Sequence, residues 1–245
     1  MPTLMPIITG WVETDFGMIT PRTGHVSWVL GGNHLALSGG IYSGEAVSGK
    51  YKKDFIYNRN MYSGHEEGAP FASHKERACA VQIDEDEVII VGGRDGRGWD
   101  SVSRRREGSE DHLPPLLVGR SHHGCGVVEL DDASKLLVVA GGYNENYKDL
   151  DSIEVLNLGS DNDEGWQVLE TRIPQPLNSF KMETLRRKLY FIGGKDENNE
   201  ANSDIFVFDP ASNSFTTIQG FSGQAHWNQG MTKVQRSSFE TYCMN

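Results

Sequence analysis

Short apolar runs alternate with polar turns along most of the chain, and four of these runs lead into a pair of glycines. The runs are Leu35 to Leu37, Val88 to Val91, Leu136 to Ala140 and Leu189 to Ile192. The glycine pairs are Gly39-Gly40, Gly92-Gly93, Gly141-Gly142 and Gly193-Gly194. They recur every roughly 50 residues, a period typical of an array of repeated structural units. Runs of this length, bounded by Gly, Asp and Asn, predict β-strands.

A repeat of about 50 residues has room for about four short strands and their turns. Before each glycine pair lies a further strand candidate. These candidates are His25 to Leu30, Ala78 to Ile83, Cys125 to Leu130 and Phe180 to Leu185. After the pair, a third strand is clearest at Ile153 to Leu156 and Ile205 to Phe208, and a fourth carries Trp166 or Phe215. We expect these two aromatic side chains to pack between neighbouring sheets, as buried aromatics usually do.

This pattern resembles the kelch repeat over about residues 22 to 220. The resemblance rests on the apolar run before each glycine pair, on the third-strand position held by Tyr57, Leu156 and Phe208, and on the fourth-strand Trp166 or Phe215. It implies an all-β, kelch-type β-propeller, with four-stranded blades around a channel. It implies no single activity, because one fold supports many functions.

We expect one domain, residues 1–245, with repeats near 22–64, 75–115, 120–170 and 178–220. The ends, 1–21 and 221–245, would form a composite fifth blade from Trp11-Val12, Gln224 to Val234 and Phe239 to Tyr242. Closing the ring in this way removes exposed sheet edges. An open fragment of a six-bladed ring is the alternative. The second repeat departs from the pattern, since Arg104-Arg105-Arg106 stands where an apolar strand is expected; that blade is either incomplete or interrupted by a surface loop.

The paired glycines are expected to have a structural role, because each lies where the second strand ends and the chain leaves the blade. Glycine tolerates positive φ and close packing at such points. A phosphate cradle is the weaker interpretation, because no Walker-type motif and no following helix accompany the glycines.

Composition excludes several partner classes. The formal net charge of −11 argues against nucleic acid and against a polybasic membrane contact. The N-terminus lacks the pattern of a signal peptide, and no apolar run is long enough to span a bilayer. Cys79, Cys125 and Cys243 are odd in number and show no CxxC spacing, so we expect reduced thiols, no disulfide framework and a cytoplasmic monomer.

The loops after the glycine pairs and the segments before the innermost strands should share one rim, because strand direction alternates within a blade. Arg22, Arg77 and Arg120 are taken as equivalent positions on that rim, where they could bind an acidic peptide. The structural alternative pairs each arginine with an acid such as Asp54, Asp100, Asp151 or Asp204. The predicted partner-binding residues are Arg22, Arg77, Arg94, Arg120, His123 and Tyr143.

His25, His122 and His123 cluster near the same rim, but their spacing matches no metal-binding motif, and we expect no metal and no other cofactor. Some kelch-type propellers carry a copper oxidase site with tyrosine and cysteine. Tyr242-Cys243 is the only adjacent pair of that kind and lies at the terminus, so it is discounted.

The sequence therefore favours a non-enzymatic module that binds another protein or peptide. Resemblance to kelch proteins implies a scaffold or substrate-recognition adaptor, for example in ubiquitin ligation or cytoskeletal contact. One alternative is a sugar-active enzyme of mutarotase or oxidase type that uses Arg77, Arg120 and His123. Another is a truncated product without full function.

Overall fold

The computed structural model describes residues 23–30, 34–42, 45–46, 53–58, 63–68, 75–94, 98–106, 109–159, 165–220, 230–231 and 243–244. Twenty β-strands lie in these ranges, and four sheets of four antiparallel strands account for most of them. The described residues include no helix long and apolar enough to cross a membrane. The all-β prediction is therefore confirmed.

Each four-stranded sheet follows the chain as a meander from an innermost to an outermost strand. Blade 1 contains β1 (Val26–Leu30), β2 (His34–Ser38), β5 (Lys53–Asn58) and β6 (Ser63–Gly68), with a small hairpin of β3 (Ile41–Tyr42) and β4 (Glu45–Ala46) between β2 and β5. Blade 2 contains β7 (Cys79–Gln82), β8 (Val88–Val91), β9 (Val102–Arg106) and β10 (Ser109–Leu113). Blade 3 contains β11 (Gly124–Glu129), β12 (Lys135–Ala140), β13 (Ile153–Asn157) and β14 (Gln167–Val168). Blade 4 contains β15 (Lys181–Leu185), β16 (Lys188–Ile192), β17 (Ile205–Asp209) and β18 (Ser214–Ile218).

The innermost strands lie side by side around a central channel. Strand β7 contacts β1 on one side and β11 on the other, and β11 in turn contacts β15. The channel contains two cavities, of about 320 and 410 Å³, both lined by innermost-strand residues. This arrangement is a β-propeller, as the kelch resemblance implied.

A fifth sheet follows blade 4. Strand β19 (Gly230–Met231) lies against β15 and pairs with β20 (Cys243–Met244). Strand β19 falls inside the predicted segment Gln224 to Val234, whereas β20 lies just beyond the predicted Phe239 to Tyr242. Those four residues and the N-terminal Trp11-Val12 are outside the described residues.

The second blade is complete, which corrects the expectation of a missing strand or a surface loop. Arg104, Arg105 and Arg106 form the third strand, β9, which pairs with β8 and β10. Arg105 lies opposite Val88, as Leu156 lies opposite Leu137 and Phe208 opposite Leu189. An arginine thus takes the place of the third-strand apolar residue, and hydrophobic patterning could not identify the strand.

Carboxylates neutralise the three arginines. Arg105 is only 2% exposed and pairs with Glu110, its neighbour across the ladder, at 3.2 Å. Its guanidinium also donates to Ser38 Oγ at 3.1 Å and lies 6.0 Å from the ring centre of Trp28, both in blade 1. Glu87 accepts the other two arginines, at 3.0 and 2.9 Å. Arg105 therefore connects blades 1 and 2, in addition to the apolar cluster that Val26, Trp28 and Ala36 form with Val88 and Ile90.

A disulfide joins Cys79 in β7 to Cys125 in β11, which corrects the expectation of reduced thiols. The two cysteines lie at the start of neighbouring innermost strands, with their Cα atoms 5.9 Å apart. Counting cysteines and spacing could not reveal this pair, because blade 2 lies between them in sequence. Closing a loop of 46 residues stabilises a fold by about 4 kcal/mol in the chain-entropy model.

Trp166 and Phe215 hold different positions. Trp166 is 6% exposed, precedes β14, and donates its indole N–H to the carbonyl of Pro114, in the connection between blades 2 and 3. Phe215 instead packs against Phe191 and Phe208 of its own blade, with ring centres 5.5 and 5.1 Å apart. Of the two, only Trp166 therefore makes a described contact outside its own blade.

All eight paired glycines have positive φ. At seven of them, namely Gly39, Gly40, Gly92, Gly93, Gly141, Gly142 and Gly194, a Cβ would lie within 3.0 Å of a neighbouring atom. At Gly142, where φ is +79°, a Cβ would clash with the carbonyl oxygen of Ser121. Gly165 has a similar φ of +62° but nothing within 4 Å of the Cβ position. A comparison of Gly142 with Gly165 therefore distinguishes the effect of backbone strain from the effect of crowding by neighbouring atoms.

We predict that Gly142→Ala lowers the free energy of unfolding by at least ~2 kcal/mol more than Gly165→Ala does, because only Gly142 adds a clash to the strain of a left-handed residue. Denaturant unfolding of both variants measures the difference. Equal losses at the two positions would show that crowding at the glycine pair is unimportant.

Arg105→Ala is predicted to cost ~3–5 kcal/mol, because it removes one member of the buried Arg105–Glu110 ion pair together with the contacts to Ser38 and Trp28. Arg104→Ala is the matched control and should cost less than ~1 kcal/mol, because Glu87 keeps Arg106. Similar melting temperatures for the two variants would contradict the role of Arg105 between blades.

Candidate functional site

Four residues with left-handed backbone conformation precede the innermost strands of blades 1 to 4 and line one end of the channel. They are Gly24, Arg77, His122 and Ser179, with φ of 68°, 56°, 57° and 55°. The amide of each later member donates to the carbonyl of the member before it, over 2.9, 3.1 and 2.9 Å. We call these four residues the mouth ring. The ring places one side chain of each of blades 2, 3 and 4 at the channel mouth.

The loops after the glycine pairs lie beside the mouth ring, as strand alternation predicted. Isolated bridges pair Glu76 with Arg94, Ser121 with Tyr143, and Asn178 with Lys195. In each bridge, the residue before a ring member meets the residue after a glycine pair. The rim therefore contains the loops that begin at Arg94, Tyr143 and Lys195.

These bridges correct the proposed equivalence of the arginines. Ser121 matches Glu76, so the counterpart of Arg120 is Lys75, and Arg77 lies two positions further along its repeat. Lys75 is 3% exposed and donates to the carbonyl of Ser101 at 2.6 Å. Arg22 is outside the described residues.

Arg120 is fully buried and cannot contact a partner, which corrects its assignment as a binding residue. It donates to Glu154 at 2.5 Å and to the carbonyls of Gly141 and Ser152 at 3.1 and 3.2 Å. Burial lowers the pKa of Arg120, and Glu154 opposes that shift. The structural alternative therefore describes this arginine, although its acid is Glu154 and not one of the aspartates considered.

Glu154 also fixes the connection between blades 2 and 3. Its two carboxylate oxygens accept the amides of Leu117 and Val118 at 2.7 and 3.1 Å. Arg120 and Glu154 together attach this connection to the third strand of blade 3. Both charges are used inside the fold.

His123 lies behind the mouth and not on the rim, which corrects its assignment as a partner-contacting residue. It is 6% exposed, and a Cβ on Gly92 would press against its ring. Burial, together with the charge of Arg120, holds its pKa well below the ordinary value, so the imidazole is neutral at physiological pH.

The remaining predicted residues, Arg94 and Tyr143, meet in one cluster with Trp99, His122 and Tyr147. We call these five residues the rim cluster. Tyr143 stacks on His122, with ring centres 4.6 Å apart, and Trp99 meets Tyr143 and Tyr147 edge-on at 6.1 and 5.8 Å. Tyr147 is 68% exposed and forms the outer surface of the cluster.

Arg94 ties this aromatic surface to the bridge beside it. Its guanidinium pairs with Glu76 at 3.2 Å, donates to the Tyr143 hydroxyl at 3.3 Å and lies 5.5 Å from the ring centre of Trp99. The amide of Trp99 donates to Glu145 at 3.1 Å, which joins the loops of blades 2 and 3. The rim cluster is therefore held in place by contacts between two blades.

Arg77 faces the channel and differs from the other arginines. Its side chain packs beside Gly24, and its Nε is buried without a hydrogen-bond partner. No carboxylate within the described residues pairs with it. It lines the cavity of about 320 Å³, together with Lys181, three histidines and several hydroxyl groups. No carboxylate is among the described lining residues, so this mouth favours negatively charged groups.

His122 carries little charge despite its central place. Burial, with the guanidinium groups of Arg77 and Arg94, lowers its pKa to about 3. Ser121 Oγ lies 2.7 Å from its Nδ1, and the Tyr143 hydroxyl lies 3.3 Å from its Nε2. His122 therefore acts as a neutral hydrogen-bonding and stacking group.

The sequence reasoning included the loops of Trp99 and Tyr147 in the rim but did not select either residue. Their aromatic character within loops that follow glycine pairs was the available signal. His122 was considered within a cluster with His25 and His123 but was not selected as a binding residue. Among the described residues, no group of three or more His, Cys, Asp or Glu is arranged to hold a metal ion.

Comparisons with known proteins support the fold. Residues 176–222, which include all of blade 4, match the family model described as the Kelch motif. A solved structure titled "Structure of YjhT" aligns with a TM-score of 0.66 and 16% identity, covering 86% of this chain and 72% of that chain. At this identity the likeness shows the fold alone. In all, 180 chains of solved structures match. A shared fold does not by itself select a function. No curated protein matches the sequence.

The pKa of His122 predicts a pH-dependent stability. The imidazole pKa is 6.5 in the unfolded chain and about 3 in the fold. Between these values the unfolded chain binds more protons, so the free energy of unfolding decreases as pH falls from 6.5 towards 3, by at most ~1.4 kcal/mol per pH unit for one histidine.

His122→Gln should reduce this dependence, measured as the change in melting temperature between pH 6.5 and pH 5, where few carboxylates titrate. His112→Gln, at an exposed histidine of β10, is the control and should keep the wild-type dependence. The same slope in His122→Gln as in the wild type would contradict the assignment.

Proposed function

We propose that this kelch-type β-propeller is a non-enzymatic module that binds another protein or peptide through the rim cluster and Arg77. The observation that carries the proposal is the aromatic surface of exposed Tyr147 and half-buried Trp99, in a cluster that includes His122. His122 is hydrogen-bonded in the mouth ring to Arg77, which has no described carboxylate partner. Aromatic and arginine side chains on a rigid surface are the residues that dominate protein interfaces.

The preorganisation of the rim cluster supports this role. Stacking, a cation–π contact and hydrogen bonds from two blades hold its side chains before any partner arrives. Binding therefore loses little side-chain entropy, which raises affinity. Tyr147 would provide a large apolar contact and still offer a hydroxyl to the partner.

Charge defines the partner further. The protein carries a net charge of −11, yet the mouth combines Arg77 and Lys181 with no carboxylate among the described lining residues. A partner segment that places an aspartate, a glutamate or a terminal carboxylate over the channel would pair with Arg77 through charge-assisted hydrogen bonds. We propose a short acidic segment flanked by apolar residues, which would lie on Tyr147.

The wider role that we propose is that of a scaffold or substrate-recognition adaptor, such as those of ubiquitin ligation or cytoskeletal contact. It follows from resemblance to kelch proteins and from the separation of this surface from the buried charge pairs. The buried charge pairs stabilise the fold, so substitutions on the rim would not disturb them.

A sugar-active enzyme is the second candidate, and the cavity of about 320 Å³ favours it, because its volume suits a small ligand. Of the three residues on which that candidate relied, Arg77 and His123 line this cavity, whereas Arg120 is fully buried and does not. A saturable rise in melting temperature with a free sugar would support the enzyme and count against the binding module.

The binding proposal predicts that Arg77→Ala with Tyr147→Ala weakens partner capture at least tenfold, about 1.4 kcal/mol or more, because both contacts lie at the centre of the proposed interface. Captured proteins are identified by mass spectrometry and their affinities measured with purified components.

Arg187→Ala is the matched control, since Arg187 lies in the turn between β15 and β16 at the opposite end of the blade, and its partner there is Asp131. Capture should be unchanged in this variant. If the double variant and the control retain the same partners with the same affinities, the rim is not the binding surface.

A further inference from the structure

We propose that the Cys79–Cys125 disulfide is a reversible thiol–disulfide exchange site that opens into the central channel and reacts with a small, negatively charged thiol. This proposal does not depend on the proposed binding function. It follows from where the disulfide lies, from which sulfur is accessible and from the charge of the cavity that leads to it.

The disulfide joins two neighbouring strands that are not connected by ladder hydrogen bonds. In the described register, β7 pairs with β8 and β11 pairs with β12, so the two innermost strands belong to different sheets. The disulfide is thus a covalent connection between blades 2 and 3. It also closes 46 residues of chain, which include all four strands of blade 2.

The two cysteine residues differ in exposure. Cys79 is partly exposed and lines the cavity of about 320 Å³ below the mouth ring. Cys125 is 5% exposed and lines the second cavity, of about 410 Å³. A thiolate that enters through the mouth therefore reaches Cys79 first, and Cys125 is the leaving group.

The charge of the mouth selects the co-reactant. The attacking species in disulfide exchange is a thiolate anion. The charged side chains that line the upper cavity are Arg77 and Lys181, whereas the lining of the second cavity includes Glu129 and Glu183 as well as lysines. The two cations of the upper cavity therefore attract a low-molecular-weight thiol with a net negative charge to the mouth. The carboxylates at the other end of the channel make entry there less favourable.

The chemistry proceeds in two balanced steps. The thiolate sulfur bonds to Cys79 Sγ as the bond between the two cysteine sulfurs breaks, and Cys125 leaves as a thiolate that takes a proton from solvent. A second thiolate then bonds to the small-molecule sulfur of the mixed disulfide and releases Cys79. Two thiols are oxidised to one disulfide, and one protein disulfide is reduced to two thiols.

Reduction removes a connection between blades without removing any apolar contact. The reduced protein should stay folded but melt at a lower temperature, by roughly 10 °C for a domain of this size. Oxidation by the disulfide form of the same small thiol restores the original melting temperature.

The test uses the full chain with Cys243→Ser, so that the thiol count reports one pair. The protein is first oxidised with glutathione disulfide. It is then reduced under native conditions, and the free thiols formed over time are alkylated and counted by mass spectrometry. Reduced glutathione, which is anionic, is compared with cysteamine, which is cationic, at equal thiolate concentration. We expect glutathione to react about tenfold faster, and Arg77→Gln with Lys181→Gln to abolish that preference.

Three results would overturn the proposal. The first is two free thiols after oxidation with glutathione disulfide. The second is reduction at the rate of global unfolding for every thiol, which would show that the disulfide is closed to solvent. The third is an equal rate of reduction by glutathione and by cysteamine in the Cys243→Ser protein that retains Arg77 and Lys181. Cys79→Ser with Cys125→Ser provides the reduced melting temperature as a reference if reduction is incomplete.

Discussion

The propeller depends on lateral contact between innermost strands that belong to different sheets. The ladder hydrogen bonds of the strands satisfy each blade internally but do not extend to the next blade in the described register. Neighbouring blades must therefore be connected by other contacts. Among the described residues these include shared apolar clusters, the mouth-ring hydrogen bonds, the buried Arg120–Glu154 pair, the Arg105 contacts to Trp28 and Ser38, and the disulfide.

The same constraint forms the candidate site. A left-handed residue is needed where the chain enters each innermost strand, and its amide and carbonyl are used by the ring. Its side chain is then free to face the channel mouth, as Arg77 and His122 do. The loop after each glycine pair meets this point through an isolated bridge, so aromatic residues from that loop pack on the ring. The residues that connect the blades are therefore adjacent to the residues of the candidate binding site.

Glycine periodicity predicted an array of repeats, because paired glycines mark a backbone geometry that every blade repeats. The kelch resemblance implied the propeller, and the alternation of strand direction predicted the shared rim. The hydrophobic pattern did not identify the third strand of blade 2, because an arginine takes the place of an apolar residue there. Arg105 satisfies its burial through Glu110, Ser38 and Trp28, which are brought close only by the fold. The arginine equivalence failed because residues were matched by type. The isolated bridges to the residues that follow the glycine pairs align Arg120 with Lys75 and leave Arg77 in the ring. The disulfide depends on which innermost strands are neighbours, and cysteine spacing carries no such information.

The account is tested most directly by hydrogen exchange at the backbone amides of Arg77, His122 and Ser179. These amides connect the blades through the mouth ring, so the account predicts that all three exchange as slowly as amides in the innermost strands, with a similar free energy of opening. Exchange at the rate of an unstructured peptide, while the strands remain protected, would contradict it, because the blades would then be held together without the ring.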